Sequence, residues 1–329
     1  MLKASQKWGD SMILTDYFYP DRDLTWELAV QCGVRHGVIR LPESEDFDPA
    51  SPAHWEGLCR RFRESGIQPL VLEPLPNRLH DHIKAGDALR DRSIETFCQM
   101  LPLMRRQGIG TVCFNFMAHI GWLRTGDRFP ERGGARVTGF RLEDFVPTGA
   151  AITSEQLWDN YAYFLRAVLP EAERHNVRLA LHPDDPPLPA LGGVHRVMTS
   201  LDSIRRAMEL VPSPMLGVTF CQATFHMMGE DLERAARLLA DKIFFIHFRN
   251  CRGSVADFRE TFHDNGEIDM ARMIALYREL GLNVPIRVDH VPQLSCESGG
   301  TAGYTALGRL FAIGYLKGLL EMHGWLSGG

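Results

Sequence analysis

The chain has 329 residues, a formal net charge of -5 and an isoelectric point near 6.2. This acidic balance offers no basic field for a polyanion, so nucleic acid is not expected as a partner. No apolar run reaches the roughly 18 residues of a membrane span, and the N-terminal segment MLKASQKWGDSMILTD lacks the apolar stretch of a signal peptide. Seven scattered cysteines, an odd number, indicate free thiols in a reducing compartment. We therefore expect a cytoplasmic location.

Strand-like and helix-like segments alternate along the chain, which is typical of β/α units around a parallel sheet. The predicted strands are residues 3–9, 36–42, 67–76, 111–117, 177–183, 215–222, 243–250 and 286–292. Helices are predicted near residues 23–32, 53–65, 90–107, 153–174, 199–210, 230–240, 268–280 and 302–321, with Ser154 and Ser200 as N-caps. Eight of each predict a single (β/α)8 TIM barrel domain over residues 1–329. The alternative, an open doubly wound sheet, lacks a Gly-x-Gly-x-x-Gly motif after the first strand.

Two long connections interrupt this rhythm, at about residues 118–152 and 184–198. They follow the fourth and fifth predicted strands, and the first is rich in Gly, Arg and Pro. Connections of this length inside a compact domain are usually lids or binding loops. We expect both on the face of the barrel where the strands end.

The last four predicted strands each end in a residue that can bind a metal: His182, Cys221, His247 and Asp289. Taken singly, a strand-end histidine or a buried cysteine is more often a packing residue. In a closed barrel, however, strand ends converge on one mouth, so the four predict a metal site. Imidazole and carboxylate suit Mn²⁺, Fe²⁺, Co²⁺ or Zn²⁺, whereas a thiolate disfavours Mg²⁺ and Ca²⁺. The ligands are 26 to 42 residues apart on separate strands, which favours a catalytic over a structural site.

Groups able to move protons or bind a substrate lie near these positions. His290 follows Asp289, and Tyr304 begins the last helix, where it could instead only cap the barrel. Candidate substrate-binding residues are Glu73 and Asn115 for hydroxyls, Arg124, Arg249 and Arg287 for a carboxylate, and His263. Each arginine could also only form a rim salt bridge, and the HDNG segment around His263 is equally typical of a turn.

At these residues the chain resembles the mannonate dehydratases, which are barrels of the xylose-isomerase-like group. The matching segments are TVCFNFM with WLRT, LALHPDDPP, LGVTFCQ, FIHFRN, HDNGEIDM and RVDH. The resemblance implies dehydration of D-mannonate to 2-dehydro-3-deoxy-D-gluconate plus water, within hexuronate and glucuronate catabolism. It implies Mn²⁺ or Fe²⁺ held by His182, Cys221, His247 and Asp289, with His290 and Tyr304 as the proton-handling pair in unassigned order. Trp122 of the WLRT segment joins the expected substrate-binding residues.

The chain also departs from the family pattern. Gly121 and Leu123 flank Trp122 where the family usually has an acidic residue and a threonine, and the loop after Cys221 is short and carries His226. A related sugar acid therefore stays open as substrate. Two other functions stay open: a metal-dependent sugar isomerase or epimerase, and a sugar-acid-binding protein without catalysis. Because helices of barrels often pair, a homo-oligomer is a further expectation.

Overall fold

The computed structural model describes residues 11–325 and shows the predicted alternation of strands and helices. Among these residues the strands, in chain order, are β1 Ile13–Phe18, β2 His36–Ile39, β3 Gln68–Leu72, β4 Thr111–Phe114, β5 Gly126–Pro130, β6 Arg136–Arg141, β7 Ala151–Ile152, β8 Arg178–Leu181, β9 Ala190–Leu191, β10 Gly193–His195, β11 Leu216–Cys221, β12 Ile243–Phe248, β13 Cys251–Ser254, β14 Asp257–Glu260 and β15 Pro285–Val288.

Eight of the strands pair in parallel around a closed circle in the order β1, β15, β12, β11, β8, β4, β3, β2. The circle closes because β1 pairs with both β15 and β2: Ile13 is the register partner of Pro285, and Thr15 that of His36. The (β/α)8 barrel predicted from the sequence is thus confirmed. In such a barrel all strands end at one mouth, which fixes where functional side chains meet.

The position of the first barrel strand differs from the sequence prediction. The segment predicted as this strand, residues 3–9, lies outside the described residues. The strand that fills its place in the barrel is β1, which carries the buried polar residues Thr15 and Asp16 in its middle. Asp16 forms an ion pair with buried Arg309 of the last helix. A carboxylate inside a buried strand is unusual. It interrupts the continuous apolar run that is typical of buried parallel strands, so β1 does not show the pattern that predicts the other strands.

The helices pack outside the barrel. They are α1 Leu24–Gln31, α2 Pro52–Glu64, α3 Asn77–Ala85, α4 Arg90–Arg106, α5 Ser154–His175, α6 Leu201–Leu210, α7 Gln222–Met227, α8 Leu232–Leu239, α9 Met270–Glu279 and α10 Ala306–Met322, with short 3-10 helices at Arg132–Gly134, Leu142–Asp144 and Ala240–Lys242. Ser200 is the N-cap of α6, as predicted. The prediction for α5 was wrong by one residue: Thr153 is the N-cap and forms a capping box with Gln156, because its side chain reaches the Gln156 backbone N–H. Along residues 11–325 no helix is long and apolar enough to cross a bilayer.

The two long connections contain regular structure that the sequence analysis did not predict. The first contributes β5 and β6, which join β13 and β14 in an antiparallel four-stranded sheet ordered β13, β14, β6, β5. The second contributes β9 and β10, which form a small sheet with β7. Since β5, β6 and β13 follow barrel strands β4 and β12, the larger sheet stands over the mouth where those strands end.

Candidate metal centre and active site

Three of the four predicted metal ligands meet at the mouth of the barrel. His182 directly follows β8, Cys221 ends β11, and His247 lies near the end of β12, where it is the register partner of Cys221. One ligand atom from each of the three lies within 4.8 Å of the others. The His182 Nε2 and His247 Nδ1 atoms face each other at 3.2 Å. Adjacent parallel strands thus place two imidazoles and one sulfur around a common point.

The outer hydrogen bonds of the two histidines decide which nitrogens carry a free lone pair. His182 Nδ1 lies 2.6 Å from the Pro183 carbonyl, so this nitrogen is the donor and Nε2 is left as an acceptor. His247 Nε2 lies 3.0 Å from a Glu73 oxygen, so Nε2 is again a donor, and Nδ1 is the nitrogen that can bind a metal when the ring is neutral. The two free nitrogens are the two that face each other. Ligating histidines in metal sites are typically oriented in this way by backbone and carboxylate partners.

Asp289 joins the centre through His247. It directly follows β15, and its Oδ2 atom lies 3.4 Å from His247 Nδ1, while its Oδ1 atom accepts from Arg287 Nη1 at 2.7 Å. Burial and Arg287 both lower the pKa of His247, but the carboxylates of Glu73 and Asp289 prevail and raise it well above its usual value. Negative charge strong enough to hold a proton on a buried imidazole also favours a divalent cation.

Two buried cysteines, Cys221 and Cys113, could each supply the sulfur ligand. The pKa values of their thiols shift in opposite directions. Burial raises the pKa of Cys221, but the Arg249 guanidinium and the two histidines outweigh it and bring the pKa well below its usual value. Burial and the neighbouring Glu73 carboxylate raise the pKa of Cys113 to about 12. Cys113 therefore keeps its proton, which it donates to Glu73 Oε1 at 3.2 Å. Since the thiolate is the form that binds metals, Cys221 is the better candidate for the sulfur ligand.

The donor set fits a transition metal better than a hard cation. Two imidazole nitrogens, one thiolate and one carboxylate suit Mn²⁺, Fe²⁺, Co²⁺ or Zn²⁺, while Mg²⁺ and Ca²⁺ take oxygen ligands. The four candidate donors come from distant parts of the chain, and His182, His247 and Asp289 line a cavity, as ligands of catalytic centres do.

A cavity of about 290 Å³ lies at the mouth next to these ligands. Seven of the remaining predicted site residues line it: Glu73, Asn115, Trp122, Arg249, Arg287, His290 and Tyr304. His182, His247 and Asp289 line it as well, whereas Cys221 is fully buried behind them. Arg124 and His263 are not among its lining residues.

His290 and Tyr304 both contact Asp289. The Tyr304 hydroxyl lies 3.2 Å from Asp289 Oδ1, and His290 Nε2 lies 3.4 Å from the same oxygen. The His290 ring stacks on Trp122 at 4.9 Å, and its backbone has φ 46°, a left-handed conformation that costs energy in a residue with a side chain. Burial lowers the pKa of His290 to about 4 and raises that of Tyr304 well above its usual value. At neutral pH both rings are therefore uncharged, one able to accept a proton and one able to donate.

Two predicted carboxylate-binding arginines belong to a buried arginine network, which we define as Arg124, Arg249, Asp185 and Glu260. Arg124 donates to Asp185 at 2.8 and 2.9 Å and to Glu260 at 2.7 Å. Arg249 donates to the same two carboxylates at 2.7 and 2.6 Å. Both guanidinium groups are thus neutralised within the protein. Arg249 also places Nη1 3.5 Å from Cys221 Sγ, so the network positions the charge that favours the thiolate.

Glu73, Arg287 and His263 likewise have protein partners. Arg287 donates to Glu73 at 2.8 Å and to Asp289 at 2.7 Å, so Glu73 orients His247 and Arg287. His263 is fully buried, stacks on Phe248 and bonds the Phe248 carbonyl through Nε2 at 2.8 Å, which keeps it outside the cavity. Burial lowers its pKa to about 4.

The sequence analysis missed several residues that line the cavity: Tyr17, Tyr19, Arg40, Asp185 and Thr301. Two of them carried a usable signal. Arg40 directly follows β2, and Asp185 lies in the HPDDPP segment after β8, so both occupy strand-end positions. Tyr17 was hidden because its strand was not recognised, and Thr301 lies in the loop before α10.

The barrel and its ligand cluster define the class of protein: a xylose-isomerase-like (β/α)8 barrel with a candidate metal centre at the strand ends. A xylose isomerase domain protein from Planctomyces limnophilus is similar at 15% identity with a TM-score of 0.61, over 95% of this chain and 98% of that chain. At this identity the similarity shows the fold alone.

Closer similarity identifies the family. The family model D-mannonate dehydratase (UxuA) matches residues 59–146 and 141–324. A mannonate dehydratase of Streptococcus agalactiae serotype III is 31% identical over 322 residues, which cover 88% of this chain and 90% of that protein. The solved structure of mannonate dehydratase from Streptococcus suis serotype 2 has a TM-score of 0.88 and 26% identity, covering 97% of each chain. The chain belongs to the D-mannonate dehydratase family, a metal-dependent family of hydro-lyases.

Proposed function

We propose that this chain dehydrates D-mannonate to 2-dehydro-3-deoxy-D-gluconate plus water, a step of sugar-acid catabolism, with Mn²⁺ or Fe²⁺ as cofactor. The observation that carries the proposal is the convergence of His182, Cys221 and His247 within 4.8 Å, beside an Asp289 carboxylate that contacts both His290 and Tyr304. A metal-ligating cluster and two proton-handling groups then open onto one cavity, as α-proton abstraction from a sugar acid requires.

The residues divide the chemical work between them. His182, Cys221, His247 and Asp289 would hold the metal. A divalent ion held there would supply Lewis-acid chemistry, which stabilises the charge that develops on a substrate carboxylate when C2 loses its proton. Trp122, stacked on His290, covers one side of that ring and helps to exclude water from it.

His290 and Tyr304 take complementary parts in this proposal. The uncharged His290 imidazole accepts the C2 proton, because burial keeps it unprotonated at neutral pH. Burial and the Asp289 carboxylate raise the pKa of the Tyr304 phenol, so it keeps its proton at neutral pH. In this proposal it then donates that proton to the departing C3 hydroxyl. Asp289 Oδ1 contacts both groups and so fixes their positions relative to each other.

The activity is tested by measuring the metal content of the purified protein and the 2-keto acid formed from D-mannonate with added Mn²⁺ or Fe²⁺. We expect turnover that is lost on chelation and restored by either metal. Binding of D-mannonate without turnover in the metal-loaded protein would instead favour a sugar-acid-binding protein.

The assignment of His290 and Tyr304 is tested with His290→Asn and Tyr304→Phe in D₂O. Each variant should retain metal and lose about a hundredfold or more in kcat. Tyr304→Phe should still exchange the C2 proton of D-mannonate for deuterium, whereas His290→Asn should not. The reverse pattern would exchange the two roles, and near-normal turnover in both variants would refute the assignment.

A sugar isomerase or epimerase is not favoured. Such enzymes commonly bridge substrate oxygens with two carboxylates on the metal, and here the residues grouped with His182 are Cys221 and His247 rather than acids.

We also propose a cytoplasmic location, a small-molecule substrate rather than nucleic acid, and assembly as a homo-oligomer. The net charge of -5 and seven free thiols support the first two expectations. Light scattering coupled to gel filtration tests the third, and a monomer at micromolar concentration would contradict it.

A further inference from the structure

Arg40 lies across the mouth of the barrel from the metal-ligating cysteine. It directly follows β2, and Cys221 ends β11. In the closed order β1, β15, β12, β11, β8, β4, β3, β2, strand β2 is four places from β11 in either direction. The two residues therefore mark opposite sides of the mouth. Both sides face one cavity, which Arg40, His182 and His247 all line.

Three arginines line the cavity, and Arg40 has different acidic partners from the other two. Arg249 and Arg287 are each held between two buried carboxylates. Arg40 pairs through Nη2 with Glu43, and no other acidic side chain in residues 11–325 forms an ion pair with it. The Glu43 side chain is 53% exposed and that of Arg40 is 29% exposed. An exposed pair of this kind exchanges its partner at little cost.

The surroundings of Arg40 keep it charged and ready to bind an anion. Burial would lower its pKa, but hydrogen bonds and charge from Glu43 and Tyr17 raise it. Tyr17 presents a hydroxyl beside it, and burial raises the pKa of that hydroxyl to about 12, so it too remains a donor. Tyr19 lines the same cavity, and its hydroxyl donates to the Thr301 hydroxyl at 3.0 Å. A guanidinium beside a phenol, both of them hydrogen-bond donors, is well suited to carboxylate or phosphate oxygens.

We propose that Arg40, assisted by Tyr17, binds a second anionic group at the end of the sugar acid remote from the metal ligands. The proposal rests on the proposed function, because it takes the C1 carboxylate of the substrate to face His182, Cys221 and His247. The other end of an extended sugar acid then points across the mouth toward Arg40. The proposal thus adds to D-mannonate a preferred class of substrate, the dianionic sugar acids with a carboxylate or phosphate on the terminal carbon.

The competing explanation is that Arg40 only tethers the loop after β2 through Glu43. The two explanations predict opposite effects for removal of Glu43. A tether is weakened by Glu43→Gln, whereas an anion site is freed by it, because the competing carboxylate is gone. Arg40→Gln removes the positive charge under either explanation and cannot distinguish them by itself. Glu43→Gln is therefore measured beside it.

The experiment compares D-mannonate, D-mannarate with its second carboxylate, and 6-phospho-D-mannonate on the metal-loaded full chain. The readouts are the ratio of kcat/KM for each dianion to that for D-mannonate, and the ratio of affinities from calorimetry. We expect a ratio above one in the wild type, a roughly ten- to hundredfold lower ratio in Arg40→Gln, and a higher ratio in Glu43→Gln. Arg60→Gln, which removes an exposed arginine paired with Glu64 on α2, should leave the ratio unchanged.

Three outcomes would overturn the proposal: neither dianion is preferred over D-mannonate, Arg40→Gln leaves the ratio unchanged, or Glu43→Gln lowers it. Whichever dianion shows the Arg40-dependent ratio identifies the terminal group as carboxylate or phosphate. If no sugar acid is turned over, the proposed function fails. The calorimetric ratio then still decides whether Arg40 binds the second anion.

Discussion

Replacing Glu260 by glutamine removes one of two negative charges from the buried arginine network while keeping its shape. The Glu260 side chain is 1% exposed, and its carboxylate accepts from Arg249 Nη2 at 2.6 Å, from Arg249 Nε at 2.9 Å and from Arg124 Nη2 at 2.7 Å. Breaking a buried pair by removing one partner costs about 3–5 kcal/mol, because the remaining charge stays buried without compensation. We therefore expect Glu260→Gln to lower the free energy of unfolding by about this amount.

The assay is urea unfolding followed by circular dichroism, with Glu279→Gln as the matched control. Glu279 also accepts from two arginines, Arg272 at 2.6 Å and Arg237 at 2.7 Å, but on the surface. With an m value of about 3 kcal/mol/M, at the upper end of the range for small proteins in urea, Glu260→Gln should lower the urea midpoint by about 1–1.7 M. Glu279→Gln should shift it only slightly, because exposed pairs contribute little. Equal shifts in the two variants would refute the reasoning that burial makes this network costly to break.

Three further predictions follow from the same site. Burial raises the pKa of Glu260, but its two arginine partners outweigh burial and lower it. The stability that the ionised Glu260 contributes is therefore fully present above the pKa of about 4.3 in the unfolded chain, and it is lost as pH falls through the pKa in the folded protein. The stability gap between wild type and Glu260→Gln should thus narrow in acid urea titrations, and a constant gap would contradict this. Cys221→Ser should weaken Mn²⁺ binding at least about tenfold in calorimetry, and Cys113→Ser should weaken it much less. Equal losses of Mn²⁺ affinity in the two variants would contradict the assignment of Cys221 as the sulfur ligand. His263→Phe should cost about 1–3 kcal/mol in thermal unfolding, because the Phe248 carbonyl loses its partner, while KM for D-mannonate stays the same; a raised KM at unchanged stability would place it in the site.

The barrel could be predicted because its signal is local and repeated. Buried parallel strands such as IFFIHF of β12 are continuous apolar runs, and the amphipathic helices between them begin at recognisable caps such as Ser200. The sheet over the mouth gave no such signal. Its strand β5, GDRFP, is short and mostly exposed, so neither alternation nor an apolar run marks it.

The metal ligands could be predicted because barrel geometry brings strand ends together whatever their separation in sequence. The partners of the arginines could not, since nothing local connects Arg124 with Glu260, 136 residues further along the chain. Arg124 and Arg249 therefore looked like free carboxylate binders, although each is neutralised by Asp185 and Glu260. Arg40 ends a strand in the same way and keeps an exposed partner, but only the structure distinguishes its surroundings from theirs.

The charges around the cavity indicate why the centre should take a divalent ion. The buried arginine network balances itself, with two guanidinium groups against two carboxylates. On the metal side, the carboxylates of Glu73 and Asp289 and the thiolate of Cys221 face the single guanidinium of Arg287, which leaves a deficit of two positive charges. Buried charge of one sign is costly unless it is compensated. The proton that Glu73 and Asp289 favour on His247 supplies only part of that compensation, whereas a divalent cation among the same donors supplies all of it.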